Sequence, residues 1–202
     1  MTMDRRLIAA LSAPVLALSV SACGINSIPT AEETAKARWA DVQVNYQRRA
    51  DLIPNLVETV KGYAEQERTV LTDVVEARAK ATSVQLNADQ LSDPQAVQQF
   101  QAAQGALSTS LGRLLATVEA YPDLKSNQNF LALQSQLEGT ENRIAISLRD
   151  YNEAVRDYNT RIRTFPEMIG AKLVHGAKPL TPFEATAPNA DRAPTVDFGT
   201  KS

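Results

Sequence analysis

The sequence predicts an all-α protein: an up-and-down antiparallel four-helix bundle with long helices, a flexible N-terminal tether and a Pro-rich C-terminal tail. Three observations carry this. Apolar residues recur at steps of three and four along four separate segments, the signature of helices with one buried face. Glycine is scarce, at 8 of 202 residues, and the middle of the chain is dominated by alanine, leucine, glutamine and glutamate. Eight of the ten prolines fall at segment boundaries or in the last 40 residues, where they interrupt no helix. Short links between amphipathic helices favour antiparallel neighbours.

The first 22 residues read as a leader. Arg5 and Arg6 precede an apolar stretch from Leu7 to Val20, too short for a membrane-spanning helix, and small residues follow. The run Val20-Ser21-Ala22-Cys23 holds the sole cysteine and resembles a bacterial lipobox, in which the chain is cut before the cysteine and its thiol acylated. An ordinary signal peptide cut after Ala22, or an unprocessed apolar anchor, is the alternative. Acyl chains would hold a soluble domain at a membrane surface almost permanently. Gly24 stands where aspartate would suggest inner-membrane retention, so the outer membrane is favoured if there are two. The expected location is the bacterial cell envelope, facing the periplasm or exterior.

Residues 23–30 are expected to be the lipidated tether, residues 31–166 the helical bundle and residues 167–202 a mostly disordered tail. Helix one spans about Ala31 to Ala50, with Ala35, Trp39, Val42, Tyr46 and Arg49 on one face. Asp51-Leu52-Ile53-Pro54 reads as a tight reversal with Pro54 in the first turn of helix two, the alternative being one long helix kinked at Pro54. Helix two runs to about Ser83, its stripe of Leu56, Val60, Tyr63, Val70, Leu71 and Val74 interrupted by Glu67. Ser92-Asp93-Pro94-Gln95 reads as a helix start, with Ser92 as cap and Gln95 completing a capping box. Helix three carries Val97, Phe100, Gln104, Leu107, Leu111, Leu114 and Val118, and Pro122 ends it. Helix four starts at Ser126 or Asn127 and runs to Phe165-Pro166, nearly 40 residues or about 60 Å. Beyond it, Met168, Ile169, Leu173 and Val174 suggest one more short turn packed against the bundle. The composition from Lys178 onward cannot bury enough to order itself, with local docking of Phe183 as the exception.

Several stretches resemble the LemA family. They are Arg48 to Tyr63 (RRADLIPNLVETVKGY), Tyr121 to Asn127 (YPDLKSN) running into Phe130, Glu138 to Ile144 (EGTENRI), and the doublets Tyr151-Asn152 and Tyr158-Asn159 before Phe165-Pro166. The resemblance covers about residues 30–185 and implies a membrane-attached, extracytoplasmic helical bundle without a settled activity. Two departures stand out: members often attach through an N-terminal transmembrane helix, and many carry histidine before the helix-two glutamate, where this chain has Gln66-Glu67.

Function classes narrow by composition. Without Arg5, Arg6 and Asp4 the 21 basic and 23 acidic residues become 19 and 22, so nothing suggests nucleic acid as a partner. One histidine, His175, cannot build a di-iron site of Glu-x-x-His pairs. With Cys23 acylated there is no thiolate for zinc, and no glycine loop cradles phosphate. No metal, cofactor or catalytic residue is expected.

The remaining candidates form a polar set with interaction or structural roles. Arg48, Arg49 and Asp51 flank the expected reversal: Arg49 is either an anion or partner anchor, or Asp51 caps helix two while an arginine pairs with a carboxylate. Glu67 and Glu141 interrupt apolar stripes, with Arg78 and Arg143 as expected ion-pair partners. Asn142, Asn152 and Asn159 are poor helix formers. The last two, seven apart beside Tyr151 and Tyr158, suggest internal hydrogen bonds or a polar groove for a peptide or glycan. The sequence points to a lipid-anchored, non-catalytic interaction or scaffolding protein with an envelope protein partner. A binding module for an envelope peptide or cell-wall fragment is the alternative, and an enzyme of unrecognised type the remotest.

Overall fold

A computed structural model describes residues 26–184; the leader, Cys23 and residues 185–202 lie outside the described residues. Four long helices form the body: α1 (Ser27–Lys61), α2 (Arg68–Ser83), α3 (Pro94–Val118) and α4 (Gln128–Arg161). Short turns fill the links: a 3-10 turn at Ala88–Ser92, a helical turn at Pro122–Lys125, another at Glu167–Gly170 and a wide π turn at Ala171–His175. No strand occurs among the described residues, and the fold is an all-α bundle.

The expected reversal at Pro54 is absent. Pro54 lies exposed inside an unbroken 35-residue α1, and Asp51 caps nothing. A proline at position 54 removes the N–H that would bond the Ala50 carbonyl one turn back. Arg78 of α2 supplies the missing donor, its Nε 2.7 Å from that oxygen. The helix continues because a neighbour completes its ladder. The reversal comes instead at residues 62–67, where Tyr63 and Ala64 both donate to the Val60 carbonyl and Glu67 donates to that of Ala64.

Caps fix the other helix starts. Asp93, not Ser92, caps α3 by accepting from the Gln95 N–H at 2.9 Å, with Pro94 in the first turn. The capping box belongs to the preceding 3-10 turn, between Asn87 and Gln90. Asn127 caps α4, accepting from the N–H groups of Asn129 and Phe130.

Cross-helix contacts give the directions. Trp39 meets Tyr151, Arg49 meets Glu141 and Tyr63 meets Asn127, so α1 and α4 run antiparallel along their length. Gln104 reaches Ala81 while Arg113 reaches Asp73, so α2 and α3 do the same. The buried apolar residues form two clusters. One gathers Ile28, Ala35, Trp39, Val42, Phe100, Tyr151, Val155 and Tyr158; the other gathers Ile53, Leu56, Val60, Val74, Leu107, Leu114, Leu124 and Phe130.

The chain after α4 corrects a further expectation. Residues 167–175 are helical turns, yet Ile169, Leu173 and Val174 face solvent while Gly170 and Ala171 pack inward. Gly176, at φ +55°, ends the π turn in the left-handed region, where glycine is unstrained. Residues 178–184, expected to lie in a mobile tail, run extended along α4. Leu180 and Phe183 are buried, and Phe183 stacks on Trp39 at 5.3 Å with its edge contacts to Tyr151 and Phe100. These apolar contacts order the segment where its composition alone would not.

Phe183 is therefore core. Phe183→Ala should destabilise the protein by about 3–5 kcal/mol, the usual loss for a buried phenylalanine, read as the shift of the urea midpoint. A loss below about 1 kcal/mol would mean that the segment is not part of the cooperative fold.

Candidate functional site

Two polar layers interrupt the apolar core, and they account for most of the candidate residues. The first lies at the waist, between the two clusters, and centres on Arg49, 1% exposed. Its Nη1 donates to Glu141 Oε1 at 3.0 Å and to Ser108 Oγ at 2.9 Å; its Nη2 donates to Gln104 Oε1 at 2.5 Å. Gln104, in turn, donates from Nε2 to the Ala81 carbonyl at 3.2 Å. One side chain on α1 thus engages α3 and α4 directly and α2 through Gln104. The Tyr46 ring lies 5.0 Å from the guanidinium carbon, adding a cation–π contact. Burial pushes the Tyr46 phenol up to about 12; Arg49 opposes that shift and Glu141 adds to it.

The expected partners differ. Glu141 pairs with Arg49 rather than Arg143, which is exposed, and its own side chain is 42% exposed, so this pair sits at a hydrated edge. Glu67 does not meet Arg78. It stands at the 62–67 reversal and accepts from the Tyr121 hydroxyl at 2.8 Å, while Arg78 serves the Ala50 carbonyl. Arg48 and Asn142 are exposed, and Asp51 accepts only a surface bond from Gln47 one turn away. Arg48, Asp51 and Asn142 thus contribute nothing to either layer.

The second layer uses the tyrosine–asparagine doublets of α4. Asn159 donates from Nδ2 to the Leu180 carbonyl at 2.8 Å and accepts at Oδ1 from the Leu180 N–H at 2.9 Å. Asn152 does the same with Phe183, both bonds 2.8 Å long. The Tyr158 hydroxyl donates to the Lys178 carbonyl at 3.1 Å and that of Tyr151 to the Thr181 carbonyl at 3.0 Å. From the far side, the Thr181 N–H donates to the Leu91 carbonyl at 2.8 Å.

The spacing has a simple cause. Seven residues of α-helix rise about 10.5 Å, and three residues of extended chain cover about 10 Å. A Tyr-Asn doublet repeated after seven positions therefore meets a backbone repeated after three, running the opposite way: 158 with 178 and 151 with 181, 159 with 180 and 152 with 183. Each asparagine amide presents a donor and an acceptor, as a strand edge would. The ladder reads backbone only; Leu180 and Phe183 supply the side-chain fit.

Sequence reasoning found Asn152, Asn159 and both tyrosines but missed their partner, because the contacts are to main-chain atoms. It also missed Gln104 and Ser108 as Arg49 acceptors. The position of Gln104 on the apolar stripe of α3 was the available sign.

A cleft of about 270 Å³ opens between α1, α3 and the segment that follows α2, lined by Gln43, Tyr46, Thr82, Gln85, Phe100 and Gln104 among others. Its sole titratable lining residue, Tyr46, does not change charge near neutral pH. Among the described residues no group of three or more histidine, cysteine, aspartate or glutamate side chains is placed to hold a metal ion. No described helix is long and apolar enough to cross a membrane.

Fold and layers together define an all-α bundle whose long helices are registered by a buried arginine and whose last helix clamps the chain that follows it. A model of the LemA family matches residues 38–198, and the chain belongs to that family. It is similar to the magnetosome protein MamQ 2 of Paramagnetospirillum magneticum, 27% identical over 157 residues (70% of this chain and 58% of that protein). The magnetosome protein MamQ of Magnetospirillum gryphiswaldense matches to the same extent. Protein LemA of Metamycoplasma hominis is 25% identical over 124 residues, covering 61% of this chain and 52% of that one. The chain thus spans just over half the length of these relatives.

Two outcomes follow from the layers. In the double variant Asn152→Ala/Asn159→Ala, the Leu180 and Phe183 amides should lose protection from hydrogen exchange while α4 keeps its own. Each substitution should cost about 1–3 kcal/mol. Retained protection at both amides would show that the ladder does not hold the segment. The second outcome concerns pH. The Tyr46 phenol titrates near 10 in the unfolded chain and at about 12 in the fold. The fold therefore holds the proton longer, so its contribution is complete below pH 10 and is lost as pH rises toward 12. That loss is about 2–3 kcal/mol and should shrink in Tyr46→Phe; a pH slope unchanged by the substitution would assign it elsewhere. Tyr151 and Tyr158 are shifted in the same direction by burial, so some slope remains.

Proposed function

We propose that this LemA-family protein is a lipid-anchored, extracytoplasmic scaffold of the bacterial envelope, held at the membrane by acylated Cys23 and presenting its helical faces to another envelope protein. The observation that carries this reading is the occupied ladder. Tyr151, Asn152, Tyr158 and Asn159, the best candidates for a ligand groove, spend their hydrogen bonds on residues 178–183 of the same chain. What is left for a partner is the outer surface of the bundle. The lipobox-like Val20-Ser21-Ala22-Cys23 and the magnetosome relatives support a place at a membrane. The outer membrane is favoured, for the Gly24 reason, where there are two.

A second reading has one observation behind it. The asparagine amides contact backbone atoms, so an extended envelope peptide carrying an aromatic residue would meet the same donors and acceptors if it displaced residues 178–184.

The test is photo-crosslinking in living cells, with probes on exposed faces of all four helices and Cys23 intact. The scaffold reading expects one recurring envelope protein mapped to one face. No protein adduct above background from any face would overturn it, and adducts confined to probes beside the ladder would favour the peptide reading.

A further inference from the structure

The exposed large apolar side chains are not spread evenly. Among the described residues, Val44, Tyr63, Val75, Leu131 and Ile146 are scattered over α1, α2, α4 and the 62–67 reversal. Four others crowd into ten residues after α4: Phe165 at 77% exposed, Ile169 at 50%, Leu173 at 81% and Val174 at 61%. Exposing four such residues within so short a segment is unfavourable unless something covers them. The helical turns that carry the last three, directly after Phe165 and Pro166, are not loose. Glu167 accepts from Ser27 Oγ at 2.6 Å and from Arg161 at 3.5 Å, and Ala171 is buried in the core.

The bond from Ser27 gives the location. Ser27 opens α1, so the apolar cluster lies at the end of the bundle where the chain leaves toward Cys23. Three residues separate Cys23 from Ser27. Even fully extended, the four steps between them reach only about 14 Å. An acyl group on Cys23 therefore brings this end of the bundle, and no other, against the bilayer. The charge fits as well. Glu167 is the only acidic residue between positions 162 and 176 and is paired with Arg161, while Arg163 and Lys172 point out beside the apolar cluster. Basic and apolar side chains together suit anionic headgroups over acyl chains.

We propose that Phe165, Ile169, Leu173 and Val174, flanked by Arg163 and Lys172, form a second membrane contact that seats the bundle end-on in the bilayer holding the Cys23 acyl chains. The proposal rests on the reading of Cys23 as a lipid anchor. Two attachments, one covalent and one a protein surface, restrict the swing of the bundle and stand α1 and α4 away from the membrane. A single flexible tether would let the bundle lie in any orientation.

The experiment uses the full-length protein in vesicles of phosphatidylethanolamine and phosphatidylglycerol. A photoreactive benzoylphenylalanine replaces Leu173 in one sample and Leu131 in another. Both positions are exposed, so neither change should disturb the fold, and Leu131 lies at the far end of α4, about 45 Å from Arg161. Intact mass of the same samples reports acylation. The expected result is an acylated chain with lipid adducts at position 173 and none at 131. An acylated chain without adducts at 173, or with equal adducts at both sites, overturns the docking surface and leaves the anchor. An unmodified Cys23 with adducts at 173 alone upholds the surface and removes the anchor. An unmodified Cys23 with no adducts removes both.

Discussion

A single buried guanidinium at the waist of the bundle is the constraint around which this fold is arranged. Placing Arg49 at 1% exposure is unfavourable unless its guanidinium is paired, and here both Nη groups find acceptors while the buried Nε has none among the described residues. The acceptors sit on α3 and α4, and the one that must be oriented, Gln104, is itself held by a carbonyl of α2. A shift of any helix by one residue would move an acceptor by about 1.5 Å along the axis and break the set. Apolar stripes discriminate poorly against slips of a whole turn or two, which put one leucine in place of another, whereas the Arg49 set does not. Arg49 thus plays the part that a polar core position plays in a coiled coil, selecting one register among many that would bury similar area. Its partial hydration through Glu141 keeps the desolvation term moderate, because one side of the pair stays at the surface.

The asparagine ladder solves a different problem. A segment with prolines at 179 and 182 cannot form a helix and has no sheet to join. Its backbone polar groups would be unsatisfied against an apolar wall. The amides of Asn152 and Asn159 stand in for a neighbouring strand, and the tyrosine hydroxyls take the Lys178 and Thr181 carbonyls. The result ties α4 to the aromatic cluster around Trp39 through Phe183, so the end of the bundle nearest the leader is closed by chain from beyond it.

Much of the fold was legible in the sequence because burial writes itself as periodicity. The stripes through Ala35, Trp39 and Val42, through Phe100 and Leu107, and through Leu137, Ile144 and Tyr151 all lie in the core. Polar partnerships were not legible, since they depend on which atoms meet in space. Glu67 and Arg78 are eleven apart and opposite in charge, yet one takes a phenol and the other a carbonyl. Docking of Phe183 was legible, but the order of the rest of residues 178–184 was hidden for the same reason: composition reports what a segment can bury by itself, whereas these residues borrow both apolar contacts and hydrogen bonds from α1 and α4. Pro54 misled because the rule against proline in helices assumes that the orphaned carbonyl stays orphaned.

That exchange at Ala50 links two helices in a way that packing alone does not. The longest helix among the described residues is missing one rung of its own ladder, and the rung is donated by Arg78, which sits on α2 beyond the first reversal. The turn around Pro54 is therefore completed by the hairpin partner and not by the helix alone. Helix α1 runs for 35 residues, about 52 Å, with one of its carbonyls served from α2. The two core clusters lie on either side of Ala50 along α1, so the Arg78 bond ties α2 to α1 close to where one cluster gives way to the other.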